Sequence, residues 1–272
     1  MQIAEPIVAS WKAEIDLRFE RRDARTVLAA KRFDGPLAFQ KPLYPEGDAV
    51  CHGIVLHPPA GIAGGDALEI AATVGEGAHA LLTTPGAGKW YRSAGPRAEQ
   101  RLRLRVDGDL EWLPQETIVF DGAVAAISCE IELGPSGRYV GWEVLCLGRS
   151  GSGERFENGR IDLRTSVSRS KKLLWWEQGS IDPRGRFMQS PAGLAGHSVC
   201  ATLVAAAPGL DGAALAACRE AGAVATLLPG VLVARWLGDS SEAAKLHFIR
   251  LWRALRPALL GRPAIEPRIW RT

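Results

Sequence analysis

The sequence predicts a mainly β fold, and three observations carry that expectation. Apolar and polar residues alternate with period two through the first two-thirds of the chain. Thirty glycines and seventeen prolines among 272 residues supply frequent turn signals between those runs and oppose a long-helix bundle. Helical spacing occurs in only two stretches, both in the last third.

The first strand is read from Trp11, Ala13, Ile15, Leu17 and Phe19, which alternate with Lys12, Glu14, Asp16, Arg18 and Glu20. The pattern returns at Leu68, Ile70, Ala72 and Val74, and at Leu102, Leu104 and Val106 between arginines. Ile127, Cys129, Ile131 and Leu133 repeat it, as do Ile161, Leu163, Thr165 and Val167. PEGD (45–48), VGEGA (74–78), VDGD (106–109), LGPSG (133–137) and ENG (157–159) separate the runs, and their short spacing predicts hairpin-like connections. Asp211 is placed to cap a helix from Gly212 to Ala221, with Gly222 ending it. The segment 225–236 reads as two strands around Pro229-Gly230. Asp239 or Ser240 caps a second helix bearing Ala244, Phe248, Leu251 and Leu255, which Pro257 should stop. No linker, repeat or low-complexity tract divides the chain, so residues 1–272 are read as one domain.

Charge excludes some function classes. The net charge is only +3 with both signs interspersed, and the cluster of Arg160, Arg164, Arg169, Lys171 and Lys172 reads as a solvated face, so no nucleic-acid partner is expected. No apolar run reaches membrane-spanning length, since 213–234 is broken by Arg219-Glu220 and Pro229-Gly230, and the N-terminus shows no signal-peptide pattern. Five widely spaced cysteines without a CxxC pair read as reduced thiols, and the expected compartment is the cytoplasm.

Most chemistry motifs fail on inspection. TTPGAGKWYRS (83–93) has Thr83 and Trp90 where a phosphate-binding P-loop needs Gly and Ser or Thr. No GxGxxG or GxSxG occurs, and Cys51-His52 with His57 is a weak metal signal better read as packed residues. Carboxylates are more suggestive: Asp66, Glu69, Glu111, Glu116, Asp121, Glu143, Glu154 and Glu177 lie beside Gly, Pro or Trp at expected strand ends. Acidic oxygens on rigid elements can pass a divalent cation without trapping it, although alternating strands need polar faces in any case. Adjacent Trp175 and Trp176 must point to opposite faces of a strand, which leaves one as an interface anchor. Arg250, Arg253 and Arg256 on the second helix could meet an acidic partner or simply face water.

Taken together, HPPAGIAGGD (57–66), TTPGAGKWYRS (83–93), LEWLPQETIVFDGA (110–123), GWEVLCLGRSGSGERFENG (141–159) and the terminal PRIW (267–270) resemble the urease accessory protein family UreD, also called UreH. Weaker matches at 35–47, 51–59 and 240–264 extend the likeness nearly end to end. The chain departs from the family pattern at Ala60, where a second glycine is usual, and at Gly88 and Trp90. The resemblance implies layered antiparallel or mixed strands, β-helix- or barrel-like, with two short helices near the C-terminal third. It implies a non-enzymatic nickel-insertion chaperone acting on apo-urease with a UreF-type accessory protein and a UreG-type GTPase. Nickel would be in transit, with no cofactor stably bound. Matched by motif, Asp66, Glu116, Asp121, Glu143 and Glu177 would serve the nickel passage, and Lys89, Tyr91, Arg92, Trp175 and Trp176 would contact partners. Two other readings are a nucleotide-dependent enzyme using the Lys89 loop and a purely structural assembly subunit without metal contact.

Overall fold

Alternation of buried and solvated side chains makes each strand one wall of a layer, and the chain builds two such walls. The computed structural model describes residues 10–59 and 61–271; Ala60 and the first nine residues, part of the signal-peptide reading, lie outside them. The strands are β1 (Lys12–Arg22), β2 (Arg25–Asp34), β3 (Ala38–Phe39), β4 (Cys51–Leu56), β5 (Gly61–Ile62), β6 (Ala67–Val74), β7 (His79–Thr83), β8 (Gly88–Trp90) and β9 (Ala98–Val106). They continue as β10 (Asp109–Trp112), β11 (Thr117–Val119), β12 (Val124–Leu133), β13 (Arg138–Leu147), β14 (Arg160–Arg169), β15 (Lys172–Ile181), β16 (Val199–Ala206), β17 (Val224–Leu228) and β18 (Val231–Gly238). The helices are α1 (Gly212–Glu220) and α2 (Ser241–Leu260).

One sheet has the order β15-β14-β12-β9-β6-β1-β2, and the other runs β17-β18-β16-β13-β10-β7-β4-β3. The middle of each sheet is parallel: β14, β12, β9, β6 and β1 in the first, and β13, β10, β7 and β4 in the second. Parallel neighbours cannot be joined by tight hairpins. VGEGA, VDGD and LGPSG therefore carry the chain from one sheet to the other, which corrects the hairpin expectation. These corners stack: Gly75 N–H donates to the Phe19 carbonyl, Asp107 to Val74, and Gly134 to Val106. The result is a coil of the β-helix kind, mixed at its margins and not closed into a barrel, since both sheets keep free edges. True hairpins join β1–β2, β14–β15 and β17–β18; the last turns at Pro229-Gly230, where Gly230 has φ +80°.

The main core lies between the sheets, where Ile15, Leu17, Phe19, Leu104 and Leu110 are buried. A second core forms where α2 covers the outer face of the second sheet through Phe248, Leu251, Trp252 and Leu255. Asp211 caps α1 as its sequence predicts, accepting from the amides of Ala213 and Ala214. Ser240 caps α2, while Asp239 instead accepts from the Ser198 amide and pairs with His197. Two expectations about α2 are corrected. It spans twenty residues rather than a short stretch, and it passes through Pro257. The proline removes one hydrogen bond from the last turn, but Leu259 and Leu260 bury their side chains in the second core and hold that turn. Gly261, at φ +70°, closes the helix by donating to the Pro257 carbonyl. Among the described residues, no helix is long and apolar enough to cross a membrane.

Candidate functional site

The motif segments gather because the coil stacks equivalent stretches of successive turns. β5, β8 and β11 form a short third face in parallel register, placing Ile62, Trp90 and Val119 side by side in the main core. The chain leaving this face forms a corner of polar residues. Asp66 is buried there, and its two oxygens accept from the Trp11 and Ala63 amides at 2.8 Å each. It braces the turn into β6.

Two turns of the coil further on, Asp121 accepts from the Glu157 amide at 3.0 Å and the Asn158 amide at 2.7 Å, and pairs with Arg92 at 3.0 Å. Burial pushes its carboxyl upward, but those amides and the Arg92 charge outweigh it and hold the group below its ordinary range. Tyr91 is exposed and packs edge-on against Phe120, over which the Arg149 guanidinium also lies. Lys89 is half-buried in β8, opposite Gly61 and Ile118. No helix follows β8, so Lys89 lacks the helix N-terminus on which a phosphate loop depends.

A different arrangement lies between the sheets near the β15 and β18 margins. Glu143 on β13 shares its strand face with Tyr139, Leu145 and Leu147, all in the main core. Burial first, then the facing carboxylate of Glu177 on β15, push Glu143 up to about 7, with the Thr117 hydroxyl acting in the opposite direction. Arg235 on β18 donates to Thr202 Oγ1 at 2.7 Å and pairs with Glu177. The layer opens to solvent here, since the Arg235 and Glu177 side chains are 47% and 38% exposed. Cys129 and Cys200 lie in the same region, and burial pushes the Cys200 thiol up to about 12. Both therefore stay protonated at neutral pH and are poor ligands beside the carboxylates.

Of the five acidic residues matched by motif, the structure brings together Glu143 and Glu177 alone. Asp66 and Asp121 belong to the corner. Glu116 is half-buried on the helix side, within electrostatic reach of Lys245 on α2. Among the described residues, no three His, Cys, Asp or Glu side chains form a metal-ligand set. Trp175 packs into the main core while Trp176 is 50% exposed, with Arg164 lying 5.9 Å from its ring centre.

The family model described as UreD urease accessory protein matches residues 12–271. The chain belongs to the UreD family. It is 56% identical to the urease accessory protein UreD of Dechloromonas aromatica, covering 97% of this chain and 95% of that one. Identity to the UreD of an Azoarcus species is 54%, covering 96% and 94%, and to that of a Janthinobacterium species 49%, covering 97% and 94%. UreD proteins are urease accessory proteins and not enzymes, so the reading of the Lys89 loop as a nucleotide-dependent active site falls.

Within this UreD chain, the side chains that sequence reasoning misplaced surround Arg256. Far from facing a partner or water, Arg256 is fully buried. Its guanidinium donates to both Glu46 oxygens at 2.8 Å and to Glu111 at 2.9–3.1 Å. His52 reaches Glu46 at 2.6 Å, while His79 and Trp252 reach the two Glu111 oxygens at 2.7 and 2.6 Å. Burial pushes both carboxyls upward, yet these neighbours outweigh it and hold them low. A signal was present in the sequence: Phe248, Trp252 and Arg256 follow one another at four-residue steps, so Arg256 falls on the apolar stripe. Arg253 pairs with Glu266, and Arg250 lies 3.3 Å from His247. The PRIW motif is structural too, because Trp270 donates to Thr83 at 2.9 Å and packs against Trp142 and Trp252.

Proposed function

We propose that this chain passes nickel to apo-urease in the cytoplasm, in a complex with a UreF-type accessory protein and a UreG-type GTPase. Glu143 and Glu177 are the residues along its route. The carrying observation is that two carboxylates on opposite sheets approach each other between the layers, close to where these open to solvent. Neither thiolates nor a closed ligand set accompany them. Oxygen donors of this kind hold a borderline divalent cation weakly enough to release it, which transfer requires. Arg92 and Asp121 fix the corner that presents Lys89 and Tyr91 to partners, and Trp176 extends the contact surface.

The test is the nickel content and activity of urease purified from cells that carry the wild-type chain, no chain, or Glu143→Gln/Glu177→Gln, at matched urease levels. Nickel-poor urease is expected from the deletion and, to a lesser degree, from the double variant. Full nickel in the deletion strain would sink the accessory-delivery reading. Full nickel in the double variant alone would favour the purely structural subunit. Asp66 and Asp121 already suit that alternative, since backbone amides and Arg92 occupy their oxygens.

A further inference from the structure

We propose that the outer face of the first sheet, across β9, β12, β14 and β15, docks an extended acidic segment of a partner protein. The proposal is independent of the nickel route. A depression of about 710 Å³ lies on this face, and Ala126 and Ser128 are the small outward-facing residues that line it. Small side chains there leave room for an incoming polypeptide.

Four arginines rim the depression: Arg97, Arg101, Arg160 and Arg164. The only acidic residues lining it are Glu99 and Asp162, so the rim is net positive. Arg97 and Arg101 share Glu99 at 2.6 and 2.8 Å, and Arg160 holds Asp162 at 2.9 Å. Arg164 reaches Glu130 at 3.0 Å. Solvent-exposed pairs of this kind contribute only about 0–1 kcal/mol each. A guanidinium can therefore exchange one carboxylate for another at little cost, and the uncompensated charge attracts an acidic partner.

The shape selects an extended segment. β15 is the terminal strand of its sheet, with β14 on one side and no strand on the other. The depression is therefore open at this margin, and an extended segment laid across it can continue past the sheet. Trp176 stands exposed on the same strand beside Arg164, an aromatic–arginine combination typical of interface anchors.

The test is fluorescence anisotropy of a labelled peptide of alternating glutamate and threonine, titrated with the full chain at low and moderate salt. Wild-type binding should weaken with salt, and Arg101→Gln/Arg160→Gln/Arg164→Gln should weaken it about tenfold or more, as expected for the loss of roughly 1.4 kcal/mol. Arg18→Gln/Arg22→Gln, which removes exposed arginines on β1, should leave it unchanged. Trp176→Ala, a single exposed change, should weaken binding independently. Hydrogen exchange should slow at 178–180 when the peptide binds. Undetectable wild-type binding, equal loss in the two arginine variants, protection confined to another strand, or tighter binding of a single-stranded DNA oligomer would each overturn the proposal.

Discussion

Two arginines in this molecule each engage glutamate between packed layers, and the contrast between them separates structure from function. Arg256 and Glu111 are both 0% exposed; a second carboxylate, two histidines and a tryptophan complete their network. Arg235 and Glu177 are about half-exposed, and Arg235 reaches Thr202 and Glu177 while Glu143 stays without a cation of its own. In the first set every carboxylate oxygen is engaged by a donor. The second leaves an unneutralised carboxyl at an opening to solvent, which is where an exchangeable cation could be accommodated. Similar residue types thus serve opposite ends depending on how many hydrogen bonds surround them.

The same substitution at both arginines breaks this comparison most directly. Arg256→Met should cost about 3–5 kcal/mol, because it leaves Glu46 and Glu111 buried without their shared cation. Chemical denaturation at neutral pH measures it, and a loss below about 1 kcal/mol would mean that the two carboxylates do not depend on their shared cation. A smaller effect is expected at Glu143. Its folded carboxyl titrates near 7 against an ordinary value of 4.5, so the folded state holds the extra proton between those limits. Its contribution is complete below pH 4.5 and is lost as pH rises through 7. Glu143→Gln should remove that decline and exceed the wild type by up to roughly 3 kcal/mol at pH 8. Parallel stability profiles for the two proteins would contradict the burial of Glu143. The smallest effect belongs to Arg235→Met, about 1 kcal/mol or less, since its pair is exposed. A loss matching that of Arg256→Met would erase the distinction.

Period-two patterning made most long strands legible, because one buried face forces alternation whatever the topology. Ile15, Leu17 and Phe19 are read correctly for that reason. The connections were not legible: a glycine-rich turn looks alike whether the next strand pairs with its predecessor or crosses to a facing sheet. Pro257 misled in a related way, since local backbone chemistry is outweighed by the burial of Leu259 and Leu260. At the site, motif resemblance singled out Glu143 and Glu177, but their meeting depends on strands in opposite sheets and carries no local signal. Arg235 escaped notice although Val231 and Val233 alternate with it towards the main core. Trp176 was accessible to simple reasoning because adjacent residues on a strand cannot share a face.

The Arg256 network also orders events during synthesis. Glu46 leaves the ribosome 210 residues before the arginine that neutralises it, an interval of about 10–40 s at ordinary elongation rates. Once Trp112 has followed, the β4–β7–β10 surface is complete in sequence yet still lacks its covering helix. The nascent chain therefore spends most of its translation with acidic and apolar surface uncovered, and a chain ended before Arg256 leaves Glu46 and Glu111 without the cation they share.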